Sequence, residues 1–261
     1  MIGIFDSGLG GLSALKEVRR LLPREDIVYF GDTGRVPYGT RSESTIIKYA
    51  KQDAAFLLSQ GVDAILVACG TVSTTALSAL KETVSVPIIG VVEPAAAAAA
   101  RATKNNRIAI IGTSATVRSR AFDKEIAKLL PQAQTLSVAC PLFVPLVENG
   151  FTAPDCEITR LTCEHYLSAI REFGADTLIL GCTHYPLIAE VIATVLPQVT
   201  LISAGAEAAR RVVALRGAKP EPSAEIRYFV SDDPSLFTAS ASLFLGNNLA
   251  GQVEKIDIER Y

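Results

Sequence analysis

Two cysteines stand at the ends of two similar apolar runs. Cys69 follows residues 64–68, and Cys182 follows residues 177–181. Each cysteine lies eight positions after the glycine of a Gly-x-Asp sequence, and a threonine follows each one closely. This pattern is typical of a buried strand that ends on a reactive residue and turns into a helix. We therefore predict two similar halves that contribute one thiol each.

A thiol placed between a strand and a helix is suited to proton transfer, because the helix dipole and nearby backbone N–H groups favour the thiolate. Two such thiols on opposite faces of a substrate could remove a proton and return another, which inverts the carbon. The simpler alternative is that a buried cysteine only fills space. We favour that alternative for the other three cysteines, which are Cys140, Cys156 and Cys163.

Other polar residues follow the same strands. His184 could tune the thiol of Cys182, donate to a substrate or be purely structural. Asp6 ends the first predicted strand and could orient Cys69 or a substrate amine, or only form a turn. The pair Cys182-x-His184 has no further ligands spaced to complete a metal site. The glycines of segment 8–11 lack both the P-loop and the dinucleotide-binding spacing.

Composition limits the class of protein. The 261 residues are 49% hydrophobic and 20% charged, which is typical of one large globular domain or two smaller ones. The net charge of −2, without a long basic run, does not favour binding to nucleic acid or to an anionic membrane. No signal peptide is visible, and the apolar runs are far shorter than the roughly 20 residues of a membrane span.

The five cysteines are odd in number and form no C-x-x-C pair. Disulfide scaffolding and structural zinc are therefore not expected. Free thiols fit a reducing compartment, so we predict a cytoplasmic protein.

Predicted strands alternate with predicted helices, which indicates an α/β fold with a mostly parallel sheet in each half. Two pseudo-symmetric domains follow from this pattern. We predict that residues 1–96 plus 207–261 form the domain with Cys69, and that residues 97–206 form the domain with Cys182. Sites in such sheets lie at the carboxyl ends of the strands, so the active site is expected at the interface of the two domains.

Local patterns predict further elements. Residues 43–60 have helical spacing and stop at Gly61, a plausible helix cap. A single helix is predicted over about 118–130. The proline-rich residues 140–150 are predicted to form no regular central element. A polar Pro/Lys loop is expected before the strand at 226–230, followed by a helical tail.

Five motifs in chain order resemble glutamate racemase, namely Phe5-Asp6-Ser7-Gly8-Leu9-Gly10-Gly11, Gly31-Asp32-Thr33 with Val36-Pro37-Tyr38-Gly39, Ala68-Cys69-x-Thr71, Cys140-Pro141-Leu142 and Gly181-Cys182-Thr183-His184-Tyr185-Pro186-Leu187. The resemblance covers essentially the whole chain. It implies a cofactor-independent enzyme of the aspartate/glutamate racemase superfamily that interconverts L- and D-glutamate. Its D-glutamate would feed peptidoglycan synthesis in the bacterial cytoplasm.

The resemblance also implies roles for individual residues. Cys69 would take the proton from D-glutamate, and Cys182 would take it from L-glutamate. Three residues would support proton transfer: Asp6, His184 and Glu148. Seven would line the substrate: Ser7, Tyr38, Gly39, Gly70, Thr71, Thr116 and Thr183. No metal is implied.

The chain departs from the family at one place in these motifs. Relatives usually have Asn-Thr-Ala after the first cysteine, whereas this chain has Gly70-Thr71-Val72. The loss of one hydrogen bond costs about 0.5–1.5 kcal/mol, or about 1.5–3 kcal/mol with a charged partner, so weaker substrate binding is expected. A racemase of the same superfamily with altered acid preference and a weakly catalytic binding relative are the alternatives. A homodimer is open as well, because the sequence specifies no oligomeric state.

Overall fold

The computed structural model of the chain describes residues 1–217, 225–249 and 251–261. The strands in these residues are β1 (Ile2–Asp6), β2 (Ile27–Gly31), β3 (Ala64–Val67), β4 (Ile88–Ile89), β5 (Arg107–Gly112), β6 (Gln134–Ala139), β7 (Thr177–Leu180), β8 (Thr200–Ser203), β9 (Ile226–Val230) and β10 (Val253–Lys255).

The α-helices of the same residues are α1 (Leu12–Leu21), α2 (Glu43–Ser59), α3 (Gly70–Thr75), α4 (Leu77–Thr83), α5 (Val92–Ala102), α6 (Ser114–Ser119), α7 (Ala121–Leu129), α8 (Phe143–Glu148), α9 (Glu157–Phe173), α10 (Ala189–Val195), α11 (Ala204–Arg216) and α12 (Pro234–Leu245). Short 3-10 helices cover Tyr38–Thr40, Tyr185–Ile188 and Ile258–Arg260. None of the described helices is both long enough and apolar enough to cross a membrane.

The strands form two parallel sheets. The order is β10-β9-β2-β1-β3-β4 in the first sheet and β6-β5-β7-β8 in the second. The four strands β2-β1-β3-β4 repeat the order of the second sheet, with β1 and β5 in equivalent central positions. The predicted α/β fold with two similar halves and parallel sheets is confirmed.

The central strands are apolar on both faces. Every residue of β1, β3 and β7 is buried, which is expected of parallel strands covered by helices on both sides. At the ends of these strands the chain changes from apolar to polar residues, and Cys69 and Cys182 occupy this change in the two halves. Because each strand ends where the polar residues begin, the side chains that can do chemistry lie at the carboxyl edge of each sheet.

The two halves share one hydrophobic core. A single buried cluster includes Leu15 of α1, Ala99 of α5, Ile110 of β5 and Val212 of α11. Helix α11 packs against both α1 and α5. Because close-packed interiors resist deformation, this core fixes the edge of one sheet relative to the other.

The C-terminal part of the chain returns to the first sheet. Strand β9 pairs with β2, and β10 pairs with β9. The predicted division between residues 96 and 97 falls inside α5, and the domain boundaries themselves stay a prediction. The polar loop predicted before β9 lies largely outside the described residues.

Helix α2 begins and ends as predicted. Ser42 accepts a hydrogen bond from the Thr45 N–H at its start. Gly61 lies just beyond its end with φ of +76°, a conformation that glycine adopts without strain.

Three local predictions are wrong. Residues 143–148 form helix α8, because Pro145 falls in its first turn, where no backbone N–H is needed. The single helix over 118–130 is divided into α6 and α7 by Arg120, whose φ is +53°. The tail after β9 contains strand β10 in addition to helix α12. Strand β6 was not predicted, because it is a half-buried edge strand without an apolar run.

Candidate active site

The carboxyl ends of both sheets border one cavity of about 350 Å³. Cys69, directly before α3, and Cys182, just after β7, both line it. A larger cavity of about 540 Å³ near α4, α5 and α7 contains neither cysteine. The chemistry of the lining residues therefore identifies the smaller cavity as the candidate active site.

Most of the residues singled out from the sequence meet in this cavity. Those that line it are Ser7, Tyr38, Gly39, Cys69, Gly70, Thr71, Glu148, Cys182, Thr183 and His184. Asp6 and Thr116 do not line it. Both are buried behind the cavity wall and reach it only through neighbouring residues.

Asp6 joins the two halves beneath the cavity. Its carboxylate accepts hydrogen bonds from the Gly8 N–H at 3.0 Å and from the Thr183 hydroxyl at 3.4 Å. Burial raises the pKa of Asp6, although the charge of His184 and these hydrogen bonds oppose the shift. The position of Asp6 fits support of the site and not direct contact with a ligand.

A chain of hydroxyls crosses from one half to the other. The Thr71 and Thr113 hydroxyls are 2.9 Å apart, and those of Thr113 and Thr116 are 3.1 Å apart. Thr113 lines the cavity and caps α6 by accepting the Thr116 N–H. The structure therefore places Thr113 where the sequence interpretation had placed Thr116.

Tyr38 lines the cavity, but its hydroxyl points elsewhere. This hydroxyl donates to Asp32 and lies 3.2 Å from Asp53, and neither carboxylate lines the cavity. Burial, together with the charges of Asp53 and Asp32, raises the pKa of Tyr38. Its hydroxyl is thus hydrogen-bonded within the wall of the site and does not face the cavity.

Arg35 lies at the centre of this buried polar cluster. Its guanidinium donates to Asp32 at 2.7 Å, to Asp53 at 2.9 Å and to Glu259 at 3.1 Å. The five residues that follow Arg35, 36–40, all line the cavity. Arg35 therefore anchors the segment that forms part of the cavity wall. The sequence analysis did not predict this role, because the quoted motif residues, 31–33 and 36–39, do not include Arg35.

The thiol of Cys69 is buried. It donates to the Ser7 hydroxyl at 3.5 Å. Burial and the charge of Asp6 raise the pKa of Cys69 to about 12, against the opposing hydrogen bonds of Ser7 and of the Val72 N–H. The surroundings of Cys69 therefore favour the thiol at neutral pH, whereas the sequence pattern predicted a favoured thiolate.

The environment of Cys182 is different. Its sulfur lies 3.8 Å from Nδ1 of His184, whose Nε2 lies 2.9 Å from the Glu148 carboxylate. Burial would lower the pKa of His184, but its contacts with Cys182 and Glu148 outweigh this and raise it to about 10. Phe244 packs edge-on against the imidazole, with ring centroids 5.3 Å apart. An imidazolium in this position can stabilise negative charge on Cys182 after that thiol loses its proton.

Comparison with known proteins identifies the family. A profile described as Asp/Glu/Hydantoin racemase matches residues 10–212. The chain belongs to this racemase family. The resemblance predicted from the motifs is confirmed, as is the prediction of an isomerase.

Individual relatives of this racemase are similar over nearly their full length. A protein of Geobacter metallireducens named glutamate racemase is 47% identical, and the match covers 99% of this chain and 97% of that protein. The crystal structure of glutamate racemase from Francisella tularensis in complex with D-glutamate has a TM-score of 0.92 and 37% identity, with 100% and 98% of the two chains covered. The corresponding structure from Thermus thermophilus in complex with beta-chloro-D-alanine has a TM-score of 0.89 and 43% identity, with the same coverage.

Several lining residues of this racemase were not assigned a role at the site from the sequence, although some stand in the quoted motifs, and Cys140 was predicted only to fill space. Within the described part of the chain, they are Gly8, Val36, Pro37, Thr40, Thr113, Ser114, Cys140, Pro141, Val144, Pro145 and Tyr185. The valines and prolines give the cavity an apolar wall, and composition alone carries no signal for such a surface. No Lys or Arg lines the cavity in the described part of the chain, and no group of three potential metal ligands occurs there.

The pair of Glu148 and His184 yields a test of this racemase's electrostatics. Glu148→Gln is expected to lower the pKa of His184 below about 10, because an amide favours the imidazolium less than a carboxylate does. NMR titration of the imidazole measures this pKa. The chain has two histidines, so His165→Gln assigns the signal of His184.

Glu164→Gln is the matched control, since its carboxylate pairs with Arg160 outside the cavity. It is expected to leave the His184 titration unchanged. An unchanged titration in Glu148→Gln would show that Glu148 does not set the charge of His184.

Proposed function

We propose that this chain interconverts L- and D-glutamate by a two-base proton transfer through Cys69 and Cys182, without a cofactor. The observation that carries the proposal is one cavity lined by two thiols, one from the edge of each sheet. A stereocentre is inverted when one group removes a proton from one face and another group delivers a proton to the other. The relatives named glutamate racemase support glutamate as the substrate.

The lining of the cavity suits a small dicarboxylate. Four hydroxyl-bearing residues line it: Ser7, Thr71, Thr113 and Thr183. Neutral donors of this kind can bind carboxylates, and their number at fixed positions supplies orientation. The absence of Lys and Arg from the described lining leaves this task to them.

The protonation states favour a definite starting form of the enzyme. Cys69 holds its proton, since its pKa is raised to about 12, and His184 is an imidazolium beside Cys182. In this form Cys182 has released its proton to solvent, and its thiolate, next to the His184 imidazolium, takes the α-proton of L-glutamate. Cys69 then delivers its own proton to the opposite face, which produces D-glutamate.

After this turnover, Cys182 holds a proton and Cys69 has lost one. That form accepts D-glutamate, with Cys69 as the base and Cys182 as the acid. The two forms therefore correspond to the two directions of the reaction, and proton exchange with solvent restores the first form. Asp6 and His184 support these transfers, and Glu148 holds the imidazole of His184.

The proposed physiological role is the supply of D-glutamate for peptidoglycan synthesis in the cytoplasm. The motif resemblance to glutamate racemase supports this role.

A substrate panel tests the proposal against its alternatives. Circular dichroism should show that both L- and D-glutamate lose their optical signal with no cofactor added, and faster than either enantiomer of aspartate. A preference for aspartate would assign the chain to a related racemase of different specificity. No change with any of the four acids, in folded protein with reduced thiols, would favour a binding role.

A further inference from the structure

Gly70 is the point of closest approach between the two halves of the site. A Cβ atom built on Gly70 would lie 2.0 Å from the carbonyl oxygen of Gly181 and 3.2 Å from its carbonyl carbon. Real Cβ atoms essentially never approach another heavy atom closer than 3.0 Å. Any side chain at Gly70 therefore requires the two backbones to separate by about 1 Å.

The turn that contains Gly181 cannot easily move away. The residues that follow Gly181 are close to Gly10, where a Cβ would be 2.2 Å from the Thr183 hydroxyl and 2.5 Å from Nδ1 of His184. The hydroxyl of Ser13 also donates to the Thr183 carbonyl at 2.8 Å. The turn is therefore in close contact with two glycines of the first half.

The turn is confined by its own half as well. A Cβ on Gly181 would lie 2.8 Å from the carbonyl oxygen of Ile111, the partner of its N–H in the second sheet. If the turn moves away from Gly70, either β5 or the start of α3 must therefore move as well.

We propose that Gly70 is a positioning residue that sets the separation of the two reacting thiols. Gly70 directly follows Cys69, and Gly181 directly precedes Cys182, so their contact joins the immediate backbone neighbours of both sulfurs. The inference rests on the proposed two-thiol reaction. It predicts that the missing side chain at Gly70 permits the spacing of the thiols and does not merely remove a contact with the substrate.

The two interpretations of Gly70 differ in their kinetic consequences. If the missing side chain only costs a substrate contact, Gly70→Asn should lower KM and leave kcat equal or higher. If Gly70 sets the spacing, Gly70→Asn and Gly70→Ala should both lower kcat, with little change in KM. Misplacement by about 1 Å can cost about 100-fold, so a decrease in kcat of about 10- to 100-fold is expected in both directions.

Gly205→Ala is the matched control. Gly205 is the second residue of α11, and a Cβ there would meet the Cβ of Ala14 at 3.3 Å, which needs a shift of only a few tenths of an ångström. It lies outside the cavity lining and is expected to keep kcat. Gly10→Ala is a second test variant, since its Cβ would also displace this turn without a change next to Cys69.

A second measurement reports the spacing without reference to activity. Bis-methanethiosulfonate reagents of short and long span are reacted with each protein, and peptide mass spectrometry quantifies the bridge between Cys69 and Cys182. The yield in Gly70→Ala should shift from the shorter toward the longer reagent relative to the wild type and to Gly205→Ala.

The outcomes separate this inference from the proposed function. A wild type without racemisation contradicts the proposed function, while the cross-linking still measures the spacing. An unchanged preference for reagent length in both Gly70→Ala and Gly10→Ala would overturn the inference. A Gly70→Asn enzyme with lower KM and undiminished kcat would overturn it as well.

Discussion

Replacement of either Cys69 or Cys182 by alanine is expected to abolish racemisation of both enantiomers of glutamate. Each turnover requires one thiol as base and the other as acid, so the loss of either blocks both directions. A positioned acid or base typically contributes about 10²- to 10⁴-fold, and loss of at least this size is expected. Decay of the circular dichroism signal measures it.

Exchange of the α-proton with D2O separates the roles of the two thiols. Cys69→Ala retains Cys182 and should exchange the α-proton of L-glutamate only, whereas Cys182→Ala should exchange that of D-glutamate only. Cys156→Ala, outside the cavity, is the control and should racemise both enantiomers normally. Full racemase activity in either site variant would contradict the two-thiol reaction.

The buried cluster around Arg35 is expected to have the largest effect on stability. Arg35 neutralises a region that contains two fully buried carboxylates, Asp32 and Asp53. Removal of one partner from a buried ion pair typically costs about 3–5 kcal/mol. Arg35→Met should therefore lower Tm by roughly 6–20 °C, at about 2–4 °C per kcal/mol for a chain of this size.

Arg260→Met is the control for the loss of an arginine, because its ion pair with Asp257 is exposed and should contribute little. Arg35→Lys should fall between the wild type and Arg35→Met, since an ammonium cannot contact both carboxylates as the planar guanidinium does. Equal Tm values for Arg35→Met and the wild type would show that the cluster does not stabilise the fold.

The two carboxylates of the cluster are expected to differ. Burial and the charge of Asp32 raise the pKa of Asp53 well above its usual range. Because burial disfavours the charged form of Asp53, Asp53→Asn should cost less stability than Asp32→Asn. Asp32 also accepts hydrogen bonds from Arg35 and Ser231, and an amide would replace a charge on which both depend.

The pH dependence of the free energy of unfolding provides a second test of Asp53. A carboxyl with a raised pKa in the folded state binds a proton that the unfolded chain releases above about pH 4, so its contribution to stability falls as pH rises from there. Asp53→Asn should remove this decline, as measured by unfolding at a series of pH values. An unchanged or steeper decline in the variant would contradict a raised pKa of Asp53 in the folded protein.

The sequence predicts those parts of the site that depend on strand ends. Cys69 and Cys182 end apolar runs, and parallel strands align their carboxyl ends, so their meeting in one cavity follows from pattern and topology. The orientation of the Tyr38 hydroxyl depends instead on Asp53, a residue of α2 with no motif of its own. The sequence predicted Thr116 at the cavity, whereas the structure has Thr113 there. The two residues are less than one helical turn apart, and spacing alone does not resolve such a difference.

The role of Gly70 could not be predicted either, because a missing side chain has two opposite meanings. In sequence it suggests a lost contact. In the folded chain its Cβ position is occupied by the backbone of Gly181, about 110 residues away along the chain. Contacts between the halves depend on how the shared core packs one sheet against the other. Local sequence patterns do not specify that packing.

The most direct test of the two-thiol account follows L-glutamate in D2O during the first turnovers of the enzyme. Chiral separation with mass spectrometry, together with proton NMR, reports deuterium at Cα in each enantiomer. The account predicts that newly formed D-glutamate carries deuterium at once, because Cys69 delivers a solvent-derived proton, while the remaining L-glutamate keeps its α-proton. Formation of D-glutamate that retains the original proton would contradict the account, because it would require a single group to remove and return that proton.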